Sequence, residues 1–306
     1  SSIQNIYFIY FIIKFSNENS FFQILMITIV IPTFNNLEYL KLCISSINKN
    51  SNTKHQIMLH INDGSDGTLG YARYNNLNFT YSKNNIGLCS SINEAVKETN
   101  SKFILYAHDD MYFCPNWDKY LINEVDLLGH DKFYLSGTMI EPTSGHITFD
   151  CGIDISSFNE KKLLNNYMNV NFFDHQGSHF APHLISRRVW DLVGGFSEEF
   201  DPGIGSDPDF NMKLWNVGIR IFKGINNFKV YHFSSVTTRK KKNFLQNKGD
   251  TIFLRKWGFS IKFFKKHYLR SRTKFVSSLN EPDKNFLYYF QLLICKIKLM
   301  KHIFKS

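Results

Sequence analysis

At 306 residues and 43% hydrophobic content, the chain can bury a sizeable core as one large domain or one domain with an appendage, which argues against disorder. Its five cysteines, Cys43, Cys89, Cys114, Cys151 and Cys295, form no C-x-x-C pair, which argues against a zinc ribbon, a thioredoxin-like motif or a disulfide framework and suits a reducing, cytoplasmic setting. The net charge of +10 is unevenly placed: residues 239–306 hold 18 of the 36 Lys+Arg and 3 of the 26 Asp+Glu, a net +15 against −5 for the rest. No nucleic-acid-binding motif accompanies this basic tail, so no nucleic-acid partner is expected. Its interleaved Phe, Tyr, Leu and Ile suit an anionic membrane surface at least as well.

The chain opens with Ile6-Tyr7-Phe8-Ile9-Tyr10-Phe11-Ile12-Ile13. This run is shorter than the roughly 20 residues of a transmembrane helix, and it lacks the basic lead and small-residue cleavage site of a signal peptide. Residues 1–25 are therefore set apart as an extension. A β-branched run at 27–31, ended by Pro32, predicts a strand covered on both faces. Leu37, Leu40, Ile44 and Ile47 recur at helical spacing behind it. Strands are predicted at 55–61, 78–81 and 103–107, with helices over 88–98 and 116–128; such alternation implies βαβ units and a mostly parallel sheet. Beyond residue 130 shorter strands and polar loops are expected. A helix at 207–217 follows, then two short strands at 219–223 and 228–232. From residue 238 the chain turns basic and aromatic, with helices predicted at 243–257 and 286–304. The expected division is an extension at 1–25, an α/β domain at 26–237 and a helical appendage at 238–306.

Ligands of a parallel α/β sheet bind beyond the carboxyl ends of its strands, and polar clusters stand at four predicted ends. Pro32-Thr33-Phe34-Asn35-Asn36 follows the first, Asn62-Asp63-Gly64-Ser65 the second, Asn84-Asn85-Ile86-Gly87 the third and His108-Asp109-Asp110 the fourth. Each is also an ordinary turn former, but four on one edge predict a shared pocket. No Gly-rich phosphate loop follows the first strand, so phosphate charge would need a metal, for which aspartate oxygens suit Mg²⁺ or Mn²⁺.

These segments resemble glycosyltransferase family 2 from Met26 to about Gly258. Ile27-Thr28-Ile29-Val30-Ile31-Pro32-Thr33-Phe34-Asn35 is similar to that family's first strand and loop, Asn62-Asp63-Gly64-Ser65 to its D-D-G-S, and Asn85-Ile86-Gly87 with Asn93 to its N-x-G…N. Arg188-Val189-Trp190-Asp191-Leu192-Val193-Gly194-Gly195-Phe196 resembles its acceptor-side stretch. The resemblance implies a GT-A-type nucleotide-diphospho-sugar transferase fold, with a mostly parallel central sheet flanked by helices. It also implies a metal-dependent, inverting transfer from a nucleotide-sugar donor to a glycan or lipid-linked acceptor in surface polysaccharide or glycan assembly. Pro32, Thr33, Asn35, Asp63, Asn85, Gly87 and Asn93 would shape the donor pocket, with Asp109 a sugar or ribose contact. Asp110 would be the metal ligand of the family's D-x-D, and His108 stands where its first Asp often does.

Gly205-Ser206-Asp207-Pro208-Asp209 occupies the place of the family's E-D-x-D, with Ser206 for the Glu. Asp207 matches the base that takes the acceptor proton; it also reads as a helix N-cap before Pro208. His232 resembles a late histidine that completes metal or diphosphate binding, and is equally a structural strand-end histidine. Trp257-Gly258 resembles the family's K-W-G ending. The apolar and lysine-rich stretch 285–306 could lie on a membrane, pack on a partner or dock on the body. A non-catalytic sugar-nucleotide-binding or scaffold protein is the alternative function. A nucleotidyltransferase is less favoured, because residues 32–36 carry no base for phosphate.

Overall fold

The computed structural model describes residues 27–233 and 248–303. The extension at 1–25 and the start of the basic segment, 238–247, lie outside the described residues. Among the described residues ten strands build one sheet: β1 (Ile27–Phe34), β2 (Gln56–Asn62), β3 (Asn78–Ser82), β4 (Phe103–Tyr106), β5 (Met111–Phe113), β6 (Tyr134–Glu141), β7 (Ile147–Thr148), β8 (His175–Gln176), β9 (His183–Ser186) and β10 (Phe222–His232). Their order is β3-β2-β1-β4-β9-β6-β10-β5, with β7 beside β6 and β8 beside β10. The half from β3 to β4 is wholly parallel. β9 runs antiparallel to both β4 and β6, while β10 is parallel to β6. Two reversals cancel, so β1, β2, β3, β4, β6 and β10 all end on one edge.

The helices are α1 (Leu37–Asn50), α2 (Thr68–Tyr74), α3 (Leu88–Lys97), α4 (Trp117–Leu128), α5 (Glu160–Asn166), α6 (Arg187–Val193), α7 (Ser206–Asn216), α8 (Gly249–Trp257), α9 (Ile261–His267) and α10 (Phe286–Ile303). The spacing read from the sequence is the buried face of α1, where Leu40, Cys43, Ile44 and Ile47 enter the core. β1 is buried along nearly its whole length, as its unbroken apolar run requires. On the second half of the sheet, alternate residues feed two cores: Phe113, Met139 and Val230 join the main one, Tyr112, Ile140 and Tyr231 a smaller one.

Three expectations change. The strands at 219–223 and 228–232 are one strand, β10, whose register shifts between Gly224 and Lys229; the shift breaks the apolar alternation and makes one strand read as two. α2 and β5 lack a long periodic pattern and were not expected. The helix predicted over 207–217 begins at Ser206, capped by Gly205 at φ 85, so Asp207 is its second residue and not its N-cap. The described part of the basic segment is packed on the body: Phe253, Phe263, Phe264, Leu279, Tyr288 and Cys295 belong to the main core.

Candidate active site

The turn His108-Asp109-Asp110 links β4 to β5, and β5 pairs antiparallel with the end of β10, setting Met111 opposite His232. Residues more than a hundred positions apart are thereby brought together. His232 Nε2 lies 3.2 Å from Asp110 Oδ1, and His108 Nδ1 lies 4.0 Å from the same oxygen. One ligand atom from each of His108, Asp110 and His232 falls within 4.8 Å of the other two, a group able to hold a metal ion. His232 Nε2 is buried and faces Asp110 across this ion-pair contact; a cation held there would take the place of the proton on that nitrogen.

Glu141 completes the arrangement from behind. The parallel register of β6 and β10 aligns Ile140 with Tyr231, so the next residues are Glu141 and His232, and Glu141 Oε1 meets His232 Nδ1 at 2.6 Å. A carboxylate on the far nitrogen fixes the ring and turns the other nitrogen toward the ligand position. Ser144 donates its hydroxyl to Glu141 in turn. Burial opposes charge on His232, but Asp110 and then Glu141 outweigh it and lift its pKa to about 10. His108 moves the other way, lowered to about 4 by burial and by the charge of His232. Glu141 carries no mark in the sequence beyond its place at the end of a sixth strand, a signal legible only once β6 is known to lie parallel to β10.

Asp109, on the wall of the same cavity, ties the first loop down. Thr33 Oγ1 donates to its Oδ2 at 2.7 Å and Asn36 Nδ2 to its Oδ1 at 3.1 Å. Burial and the neighbouring Asp110 raise its pKa to about 7, while those two donors pull it back. Asn35, left-handed at φ 48, donates through Nδ2 to Asp63 Oδ2 at 2.8 Å, and its own Oδ1 is buried without a partner. Asn85 Oδ1 accepts from Gly87 N–H at 3.0 Å, closing the turn before α3. Gly87 stands at φ 92, and a Cβ there would fall 2.3 Å from Asp201. That carboxylate accepts from Cys89 and Ser90 N–H and so caps α3, a role the sequence reading did not assign.

A cavity of about 230 Å³ opens at this edge, walled in part by Pro32, Thr33, Asn85, Gly87, Asp109, Asp110 and His232, with His108 and Asn62 added to the expected set. Asn35, Asp63, Asn93 and Asp207 stand outside its walls. Asn93, expected in the donor pocket, is engaged elsewhere, since its Nδ2 donates to Phe196 O and its Oδ1 accepts from Phe196 N–H, both at 2.9 Å. With both amide ends so used, it braces the Gly195-Phe196 turn.

Asp207, freed from capping, holds Oδ1 buried without a hydrogen-bond partner, and burial raises its pKa to about 7. Burial and then the charge of Asp207 push the Tyr106 phenol well above its ordinary value, so the carboxylate and the end of β4 share one environment. The Tyr106 hydroxyl and His183 Nε2 are likewise buried without partners. Asp209 is used structurally: Ser197 Oγ, Trp257 Nε1 and Lys256 Nζ converge on it at 2.6, 2.8 and 3.0 Å. Lys256 and Trp257, noted in the sequence as a K-W-G ending, thus anchor α8 to the first turn of α7.

A mixed α/β sheet with strand ends gathered around a His-Asp-His cluster is consistent with a GT-A-type fold carrying a metal-competent site. The family description "Glycosyl transferase family 2" matches residues 28–188, more than half of the chain, and the chain belongs to that family. Among solved structures it is similar to S. aureus TarS, with 12% identity, 90% of this chain and 43% of that one covered and a TM-score of 0.54. The TarS 1–349 structure in complex with UDP-GlcNAc aligns over 69% of this chain and 61% of that one, at 16% identity and a TM-score of 0.51. GalNAc-T7 with UDP, GalNAc and Mn²⁺ aligns over 69% and 44%, at 13% identity and a TM-score of 0.53. The chain thus spans less than two thirds of each of these proteins, and at such identities the likeness concerns the fold. No curated protein matches the chain.

Proposed function

We propose that the chain transfers a sugar from a nucleotide-diphosphate donor to an acceptor hydroxyl with inversion at the anomeric carbon, in surface polysaccharide or glycan assembly. The observation that carries this reading is the His108, Asp110 and His232 cluster at the carboxyl edge of the sheet. Two imidazoles and one carboxylate suit Mn²⁺ better than Mg²⁺, which prefers oxygen ligands. A cation held there would neutralise charge on the departing diphosphate. Pro32, Thr33, Asn85, Gly87 and Asp109 shape the donor pocket. The free Oδ1 of Asn35, with Asp63 beside it, is disposed to accept from a base or ribose at the rim.

Asp207 is the base. Its carboxylate takes the acceptor proton as that oxygen bonds to the anomeric carbon and the bond to the diphosphate oxygen breaks. A base whose pKa burial lifts to about 7 is poised near neutral pH, and it works only when ionised. The rate therefore rises with pH through that value.

Because the similar TarS structure is a complex with UDP-GlcNAc, UDP-sugars are the first to test in a panel of UDP-, GDP-, dTDP- and CMP-sugars. Asp207→Asn is expected to keep Mn²⁺-dependent thermal stabilisation by the donor while losing transfer or donor hydrolysis by about 100-fold or more. Asp110→Asn or EDTA is expected to abolish the stabilisation. Tight donor binding with no turnover in wild type and variant alike would instead identify a sugar-nucleotide-binding protein.

No helix among the described residues is long and apolar enough to cross a membrane. The inward stripe of α10 is Tyr288, Leu292, Cys295 and Leu299, yet its outward residues Phe286, Leu287, Phe290, Leu293 and Ile297 are also apolar and exposed. Lys296, Lys298 and Lys301 flank them. This pattern supports a peripheral position on an anionic, cytoplasm-facing membrane, where a lipid-linked acceptor would be held.

A further inference from the structure

A second cleft, of about 750 Å³, lies between α9 and the loop that follows it. Lys262, Lys265, Lys266, Arg270 and Arg272 line it with a single carboxylate, Asp250. Among the described residues none of the five cations makes a salt bridge, whereas Lys223, Arg220 and Lys256 elsewhere all do. Five like charges around one concavity repel each other and focus a positive potential into it. Lys265 is half-buried with its ammonium 5.4 Å from the centre of the Phe180 ring, and burial followed by Arg272 lowers its pKa, against the pull of Asp250.

The loop is held in an unfavourable shape to build this wall. Arg270 and Arg272 are left-handed, at φ 50 and 72, a conformation that non-glycine residues rarely keep without compensation. Compensation comes from the segment before β9: Ser271 Oγ donates to Gly177 O at 2.9 Å and Gln176 N–H to Thr273 O at 2.8 Å. Both sides of the cleft touch segments that lead to His183 and Asp207. Phe180, under Lys265, leads directly into β9 and His183. Gly249, next to Asp250, packs so closely on the Ile204 carbonyl that a Cβ would fall 2.0 Å from it, three residues before Asp207.

We propose that this cleft binds a phosphate group carried by the acceptor, a phosphodiester or pyrophosphate, and so selects anionic acceptors for the transfer at Asp207. The proposal rests on the glycosyltransfer reading above. Guanidinium forks match phosphate oxygens in pairs. On the glycosyltransfer reading, donor diphosphate has its own place at the His108, Asp110 and His232 cluster, whose residues are separate from those of the cleft, so the two anion sites differ in their need for metal.

The test is binding of inorganic pyrophosphate to the full chain in EDTA, which silences the metal-dependent donor site, at low and high salt. Wild type should bind in a salt-sensitive way, and Lys265→Gln combined with Arg272→Gln should weaken binding about 10-fold or more. The same double variant should retain Mn²⁺-dependent stabilisation by UDP, which shows that it is folded and that the donor site is intact. Water-soluble dihexanoyl phosphatidic acid is the second probe. Competition much stronger than that of pyrophosphate identifies a lipid phosphate, and equal competition a soluble glycan or polyol phosphate. Absence of pyrophosphate binding by wild type, or equal binding by the double variant, overturns the proposal. Loss of UDP stabilisation in wild type would instead strike the glycosyltransfer reading.

Discussion

His232 shows how a single residue changes meaning with its neighbours. A histidine at a strand end is ordinary, and its sequence does not distinguish a ligand from a structural ring. What separates the two is Glu141 at 2.6 Å from Nδ1 and Asp110 at 3.2 Å from Nε2, an orientation in which one nitrogen is fixed and the other offered. Glu141→Gln should therefore weaken Mn²⁺ binding by about 10- to 100-fold, read by a Mn²⁺ titration, with the fold intact by circular dichroism. Unchanged affinity would mean that Glu141 only neutralises buried charge. Asp109 and Asp110, adjacent and both carboxylates, likewise divide: one braces Thr33 and Asn36, the other faces the histidines. Both line the same cavity, and the division lies in their partners.

At the scale of elements, the first turn of α7 joins chemistry to architecture. Asp207 and Asp209 lie two residues apart, so they project from different sides of the helix. Asp207 keeps a bare buried oxygen, while Asp209 receives Ser197, Lys256 and Trp257. The sequence pointed to Asp207 as base or cap, and the Gly205 cap removes the second role. Asp209→Ala should cost about 2–4 kcal/mol of stability, because it strands a buried indole N–H and a partly buried ammonium. Thermal denaturation checks the loss, and a change below about 0.5 kcal/mol would show that α8 is held by Phe253 and Leu254 alone. The starts of β1 to β4 were legible to within a residue, but β1 runs on through Pro32 to Phe34, past the expected end at the proline, because β2 continues to pair with it there. Boundaries were not legible for β10, where Gly224 lies under the His175 ring, 1.9 Å from where a Cβ would be, and the register slips.

Over the whole molecule, charge and apolar surface are concentrated at the end of the chain, where α9 contributes a cationic cleft and α10 an apolar outer face. Replacing Leu287, Phe290, Leu293 and Ile297 with Gln should reduce co-sedimentation with phosphatidylglycerol vesicles by about 10-fold or more while leaving Mn²⁺-dependent UDP stabilisation unchanged. Full retention on vesicles would assign that face to another contact. The sequence alone determined the α/β class, the family resemblance, the edge of the sheet that carries the polar residues, and the uneven charge, because each depends on local periodicity, turn chemistry or counting. Tertiary structure decided that β10 returns beside β5, that Glu141 backs His232, that Asn93 braces Phe196, and that five cations converge on one cleft. Those facts depend on which distant strands and helices lie side by side, and no local pattern encodes that adjacency.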